Sequence, residues 1–343
     1  LGCALKADWT VTFAAEKIGH RIHPGAGLCG EITVVPIGIP EHFLNIPAHN
    51  VAKNLLDDLV LPSRPPDTHK GHCGRLLILA GSVGMEGAAI LTAQGALRTG
   101  PGLVFVATPA AAQAVVSAGV VEAMTLSLPN NEAGTHLGDG ALEVIQASGV
   151  HPQVLALGPG LGNNRRTLPL VCALVERHDL PVVLDADALN ALAGEGEWIP
   201  SLATGRTAPL ILTPHPGEMA RLTRESVQEV QSDRLGTARR CATSWGVWVV
   251  LKGANTLIAA PDGQAWINMT GNSGLASGGS GDLLTGIIAG LLAQGWPTES
   301  AVRAGVWLHG TAADVAAREG GMAGLVASDL LPVIRRLRNT LGG

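Results

Sequence analysis

A chain of 343 residues with 46% hydrophobic and 15% charged residues has the composition of a folded protein, not a disordered one. Its net charge of −5 comes from interspersed acids and bases with no basic stripe, so nucleic acid is not an expected partner. The most apolar run, Leu283 to Ala293, is too short for a bilayer and is broken by Gly286 and Gly290, so no membrane association is expected.

Residues 1–50 differ from the rest. Thr10–Phe13 and Ile32–Ile37 read as short strands, separated by loop-like residues such as His23-Pro24-Gly25. That is too little to close a core, and it reads as the tail of an upstream domain. The start at Leu1 instead of Met fits a fragment or processed product, and no signal-peptide pattern opens it. Val51 to Leu61 carries a short helical pattern, and Pro62, Pro65 and Pro66 then mark a boundary. The main domain is therefore expected over 51–343.

From Gly74 onward, short apolar runs alternate with helical stretches. Strands are predicted at Arg75–Ala80, Gly102–Ala107, Val154–Leu157, Pro181–Asp185, Pro209–Thr213 and Val247–Leu251, with a helix from about Gly87 to Thr99. These runs are apolar throughout, as in parallel strands covered on both faces, and the intervening helices make βαβ units. Thr256–Ala260 and Gln264–Asn268, joined across Pro261-Asp262-Gly263, read as a hairpin on the sheet edge. Helices are expected at about 281–294, 298–318 and 328–338. Five scattered cysteines without a CxxC pair point to reduced thiols and a cytoplasmic setting.

Ligands bind open parallel sheets beyond the C-terminal ends of the strands. Five polar or glycine-rich segments fall there: Gly81-Ser82, Gly158–Gly162, Asp185–Asp187, Pro214–Glu218 and Lys252-Gly253. A sixth, Gly278-Gly279-Ser280-Gly281-Asp282, directly precedes the apolar helix from Leu283. Glycines let successive amides point one way, and the helix adds its own unpaired amides and dipole, which together make an anion hole. Asp282 could simply support the helix start, at about 1 kcal/mol. Three preceding glycines point further, to a carboxylate placed to take a proton from an attacking hydroxyl.

Lys252 is the sole lysine after Lys70 in a chain that otherwise uses Arg there, which suggests that a compact ammonium is needed. Gly253 would let a ligand approach the backbone. His215, between Pro214 and Pro216, would be held in a fixed direction. Asp185 and Asp187 could bind a metal, act through a water, or cap the helix that follows. No metal ligand set is legible. Gly158–Gly162 is not the dinucleotide fingerprint GxGxxG and no GxxxxGK[ST] occurs, so the chain is by motif neither a dinucleotide dehydrogenase nor a P-loop NTPase.

Together these residues resemble the ribokinase-like superfamily and, within it, the ADP- or ATP-dependent NAD(P)H-hydrate dehydratases. The strings that carry the likeness are His69–Gly71, Ala80–Ser82, Gly87–Ala89, Gly158–Gly162, Asp185–Asn190, Leu212–Glu218, Leu251–Gly253 and Ser277–Asp282, continued by His309 and Ala327–Asp329. The resemblance implies a three-layer α/β/α sandwich with a mainly parallel central sheet. It implies dehydration of the S-epimer of hydrated NADH or NADPH, with ADP (or ATP) consumed to AMP (or ADP) and phosphate. The dinucleotide is then substrate rather than redox cofactor, which accounts for Gly158–Gly162 lacking that fingerprint.

Carried across, Asp282 is the catalytic base and touches substrate. Ala88, Gly160 and His215 contact the hydrated dinucleotide. Lys252, Gly253, Ala254, Asn255, Thr256, Gly279 and Gly281 hold the adenine nucleotide. Mg²⁺ is expected with the nucleotide, and a homo-oligomer is expected. The first fifty residues resemble the end of an NAD(P)H-hydrate epimerase domain, through Ala7–Phe13 and Ile37–Pro40. The segments carrying that domain's catalytic Asp and potassium site would lie upstream, so no epimerase activity is expected of this chain. Two rivals remain: a vitamin-precursor kinase on the same fold, and a regulatory nucleotide-binding module.

Overall fold

The structure, a computed structural model, describes residues 3–44, 50–57, 59–193 and 198–341. The elements in chain order are β1 (Trp9–Phe13), β2 (Glu31–Val35), α1 (Glu41–Leu44), β3 (Val51–Lys53), β4 (Arg75–Leu79), α2 (Glu86–Thr99), β5 (Leu103–Pro109), α3 (Ala110–Gly119) and β6 (Met124–Leu128). Next come α4 (Ala141–Ala147), β7 (Val154–Leu157), α5 (Thr167–Arg177), β8 (Val182–Leu184), α6 (Ala186–Ala193), α7 (Trp198–Ala203), β9 (Leu210–Leu212), α8 (Pro216–Thr223), α9 (Val227–Ser232) and α10 (Arg234–Trp245). The chain closes with β10 (Trp248–Leu251), β11 (Leu257–Ala259), β12 (Ala265–Ile267), α11 (Ser280–Ala293), α12 (Thr298–Gly320) and α13 (Leu330–Arg338).

Among the described residues, ten strands form one sheet in the order β3-β12-β11-β10-β9-β8-β7-β4-β5-β6. Only β11 pairs antiparallel, with β10 and β12; every other pairing is parallel. The expected α/β/α sandwich follows from strand periodicity. Leu76 and Ile78 of β4 join one core cluster with α2, α11, α12 and α13, whereas Leu77 and Leu79 join a second with α5, α6, α8 and α10. Successive side chains point to opposite faces, so a strand apolar throughout needs helices on both sides.

The helix that begins at the glycine turn is seated by backbone contact. A Cβ on Gly286 of α11 would overlap the Thr92 carbonyl of α2, and one on Gly95 of α2 would lie 2.6 Å from the Leu283 carbonyl. Small residues at this crossing bring α11 onto α2 and fix where its N-terminus emerges.

Two expectations are corrected. Val51 starts a strand, not a helix: Val51–Lys53 pairs in parallel with Ala265–Ile267, which makes β3 the sheet's outer strand and places the β11–β12 hairpin one step inside. Tertiary pairing outweighs the weak helical pattern. It is locked by buried Asn54, whose Nδ2 donates to Asn268 Oδ1 at 3.0 Å and to the Arg303 carbonyl at 3.0 Å. The edge strand β6 was missed because Met-Thr-Leu-Ser-Leu is short and half polar.

β1 and β2 form a separate two-stranded parallel sheet, with Trp9, Val11 and Phe13 of β1 exposed. All five cysteines are free thiols, and three are buried. No helix among the described residues is long and apolar enough to cross a membrane.

Candidate active site

The rim segments do converge. Asp185 ends β8, Lys252 ends β10, and α11 starts beneath them. Lys252 Nζ lies 2.7 Å from Asp185 Oδ1 and 3.8 Å from Glu218 Oε2. Asp185 and Glu218 are both buried, at 1% and 5% exposure. Asp185 Oδ2 accepts from Thr285 Oγ1 at 2.7 Å, which ties the cluster to the second turn of α11. A Cβ on Gly281 would lie 3.0 Å from Lys252 Nζ, so glycine there keeps the helix start open against the ammonium.

Asp282, in the first turn of α11, completes a group of three carboxylates around one lysine. Burial, then the charge of Asp185, pushes its carboxyl up to about 6, partly opposed by Lys252. Burial likewise raises Glu218. Burial works to lower Lys252, but the charges of Asp185, Glu218 and Asp282 outweigh it and hold the ammonium above its ordinary value. The site thus combines a permanent cation, an amide-rich helix start and a carboxyl poised to exchange a proton near neutrality.

Gly279 is the N-cap of α11 in the left-handed region, at φ 85°, and a Cβ there would run into Leu91. Behind the turn, Ser280 Oγ lies 3.2 Å from His309 Nε2. Burial drives His309 down to about 4, so the ring is neutral at physiological pH.

The second glycine loop lies across α2. Gly160 has φ 65°, and a Cβ on it would come within 2.8 Å of Ala88 Cβ, so these two residues share one crevice. Ser82 Oγ donates to the Gly160 carbonyl at 2.8 Å. Asp187 Oδ2 accepts from the Gly162 amide at 2.7 Å. Of the roles left open for the two rim aspartates, this geometry favours holding the rim: Asp185 orients Lys252, and Asp187 orients the glycine loop. Among the described residues no group of three or more acidic, His or Cys side chains could hold a metal ion.

His215 is the N-cap of α8. Its Nδ1 accepts from the Gly217 and Glu218 amides, at 2.9 and 3.3 Å, while Glu218 Oε2 accepts from the His215 amide at 2.7 Å. Burial and then Lys252 lower its pKa, and with Nδ1 accepting, the neutral ring carries its proton on Nε2. The stiffness expected from two prolines thus comes from a capping box as well.

Ala254, Asn255 and Thr256 extend outward from Lys252. This loop rests on Arg234 of α10, a buried residue that no sequence signal marked. Its guanidinium donates to the carbonyls of Ala254 (2.5 Å), Leu251 (3.3 Å) and Lys252 (3.3 Å). Thr285 and the carboxylate role of Glu218 were also not anticipated. Glu218 lies in the first turn of α8 and Thr285 in the second turn of α11, helices whose starts drew attention instead.

A mainly parallel sheet flanked by helices, with a glycine turn, a helix N-terminus, a lysine and an aspartate at its C-terminal rim, is a ribokinase-like fold. A family model described as NAD(P)H-hydrate dehydratase matches residues 76–336. The bifunctional NAD(P)H-hydrate repair enzyme of Moorella thermoacetica is 45% identical over 334 residues, which is 96% of this chain and 62% of that protein. The ADP-dependent (S)-NAD(P)H-hydrate dehydratase of Neisseria meningitidis is 42% identical over 285 residues, covering 82% and 90% of the two chains. The crystal structure of the ADP/ATP-dependent NAD(P)H-hydrate dehydratase of Bacillus subtilis, co-crystallised with ATP/Mg²⁺, superposes with a TM-score of 0.71 at 33% identity, covering 84% of this chain and 99% of the other. The chain belongs to the NAD(P)H-hydrate dehydratase family. It spans 62% of the length of the Moorella bifunctional relative.

Proposed function

We propose that this chain dehydrates the S-epimer of hydrated NADH and NADPH at the expense of an adenine nucleotide. The observation that carries this is Asp282: a carboxyl raised to about 6, at an anion-binding helix start, beside Lys252. Its carboxylate takes the proton of the ring hydroxyl as the hydroxyl oxygen bonds to the terminal phosphorus of the nucleotide and the bridging P–O bond breaks. The ring nitrogen's electron pair then expels phosphate from the adjacent carbon, and loss of a proton from the next carbon restores the dihydronicotinamide. The α11 amides and Lys252 bear the phosphoryl charge. Ala88, Gly160 and His215, whose Nε2 lies 3.4 Å from Glu218 Oε1, contact the dinucleotide, and Lys252 to Thr256 with Gly279 and Gly281 face the adenine nucleotide.

Asp185 and Asp187 are already committed to Lys252 and Gly162. Mg²⁺ therefore fits as the nucleotide's own counter-ion, held by phosphate oxygens and water, where it would neutralise phosphoryl charge. Residues 1–50 would be the end of an epimerase domain, a reading supported by the exposed apolar face of β1 and by relatives that are bifunctional. A cytoplasmic homo-oligomer that binds neither nucleic acid nor membrane is the accompanying expectation.

The test is purified protein with hydrated NADH, Mg²⁺ and either ADP or ATP. Recovery of the NADH absorbance with release of phosphate is expected. Accumulation of a stable phosphate ester would instead favour the kinase reading.

If the loop after β10 holds the nucleotide, Arg234 positions it. Arg234→Met removes the donors that fix three carbonyls and thereby the direction of the neighbouring amides. We expect the nucleotide KM to rise about tenfold, in line with about 1.4 kcal/mol, while the KM for the hydrate and kcat change less than threefold. Equal losses in both KM values would reduce Arg234 to general structural support.

A further inference from the structure

A second polar cavity lies away from the rim. It encloses about 490 Å³ and is lined by Arg64, Arg98, Arg335 and Arg338, with Gly100 and Asn339 among its other walls and no acidic residue. The four arginines come from three separate segments: the loop before β4, the last turn of α2, and the last turn of α13. α2 starts at the Gly160 crevice and ends at this cavity. Fourteen helical residues span about 20 Å, so the two sites occupy opposite ends of the sheet.

The arginines are only partly engaged. Arg338 Nη1 donates to the Leu341 carbonyl at 2.7 Å, and its guanidinium lies 4.7 Å over the Trp296 ring, yet its buried Nε has no partner. Burial, then the Arg64 charge, pushes Arg338 below its ordinary value. Among the described residues, Arg64 donates only to the Gly100 carbonyl, from Nη1 at 3.3 Å. No salt bridge joins any of the four to a carboxylate among the described residues, although Arg336 on the same helix has Glu319 at 3.7 Å. Like charges gathered round one hollow repel each other unless an anion enters.

We propose that this cavity is a binding site for a diphosphate group. Guanidinium forks match phosphate oxygens two at a time, and the volume is that of a small-molecule site, in the general range of roughly 300–1,000 Å³. The simpler alternative is that Arg98, Arg335 and Arg338 neutralise the C-terminal dipoles of their own helices. That alternative explains neither Arg64, which lies on no helix, nor the convergence of all four on one hollow.

The experiment is hydrogen exchange and calorimetry on the whole chain with inorganic pyrophosphate. Wild type is compared with Arg98→Glu/Arg335→Glu; both residues are exposed and away from the rim, so the variant is expected to keep its fold, which its melting temperature checks. Pyrophosphate is expected to slow exchange at 97–100 and 335–341 in the wild type. In the double variant that protection should vanish, and affinity for this site should fall at least tenfold, with turnover at the rim unchanged. ADP is run in parallel: protection of the same segments at lower concentration than pyrophosphate assigns the site to a nucleoside diphosphate, and the reverse order assigns it to the inorganic ion. Unchanged exchange at both segments, or isotherms identical for wild type and variant, overturns the proposal in favour of dipole neutralisation. None of these readouts requires dehydratase activity, so the two proposals fail separately.

Discussion

Asp282→Asn is expected to lower turnover by about 10²- to 10⁴-fold, the range for loss of a positioned general base, while nucleotide affinity stays within about threefold of wild type. The amide keeps the size and the helix-start position of the carboxylate and removes only its ability to accept a proton. The pH dependence should carry the same signature. A base whose carboxyl sits at about 6 is half-protonated there, so wild-type kcat/KM should climb as pH rises through 6 and level off above it. The variant's residual activity should lose that limb. Stability should move the opposite way. The folded-state pKa of Asp282 lies above its unfolded value, so its contribution is most favourable at low pH and is lost as pH rises through about 6. Above that pH the charged carboxylate is a burden on the fold. Asparagine removes the burden, and the variant should melt higher than wild type at pH 8 but not at pH 4. A variant that keeps wild-type turnover would end the assignment of Asp282 as base. One that loses turnover and nucleotide binding together would make it a binding residue.

The sheet was legible because its strands are apolar on both faces, so Arg75–Ala80 and Val247–Leu251 read as central strands, although β10 is parallel only to β9 and antiparallel to β11. The rim was legible because glycines and isolated polar residues punctuate each strand's end. β3 was not, because three residues owe their strand to pairing with Ala265–Ile267 and to the bonds that the adjacent buried Asn54 makes to Asn268 and Arg303, partners more than 200 positions away. At the rim, single-residue signals singled out Asp282, Lys252 and His215 as candidates but not how they are held. Nothing about Arg234 distinguishes it from the neighbouring Arg239 and Arg240 of α10 until the fold buries it under the loop after β10. Thr285 looks like one more helical residue until Asp185, exactly 100 positions earlier, accepts its hydroxyl. The sequence pattern marks the candidate groups on the rim. The groups that hold them depend on long-range contacts with no local mark.

Lys252→Met separates the lysine's structural and chemical roles. Lys252 compensates two buried carboxylates, and removing one member of such a pair costs about 3–5 kcal/mol because the other is left uncompensated. The variant should therefore be strongly destabilised at neutral pH. It should recover as pH falls, because Glu218, already raised by burial, and Asp282 both lose the cation that held them down and protonate at higher pH than in the wild type. The rising limb of any remaining activity should shift to higher pH for the same reason. Adding Asp185→Asn removes the worst unpaired charge, so Lys252→Met/Asp185→Asn should regain most of the lost stability at pH 7. If Lys252 were only a structural counter-ion, turnover would return with the fold. If it also bears phosphoryl charge, the double variant should fold yet remain at least about 100-fold impaired, as expected for loss of an electrostatic contact made at the transition state. Lys252→Arg should do little better, since a Gly281 Cβ position lies only 3.0 Å from the ammonium and the wider guanidinium fork would press on the start of α11. The persistent loss in a refolded protein would explain why a chain that elsewhere favours arginine keeps one lysine at this strand end.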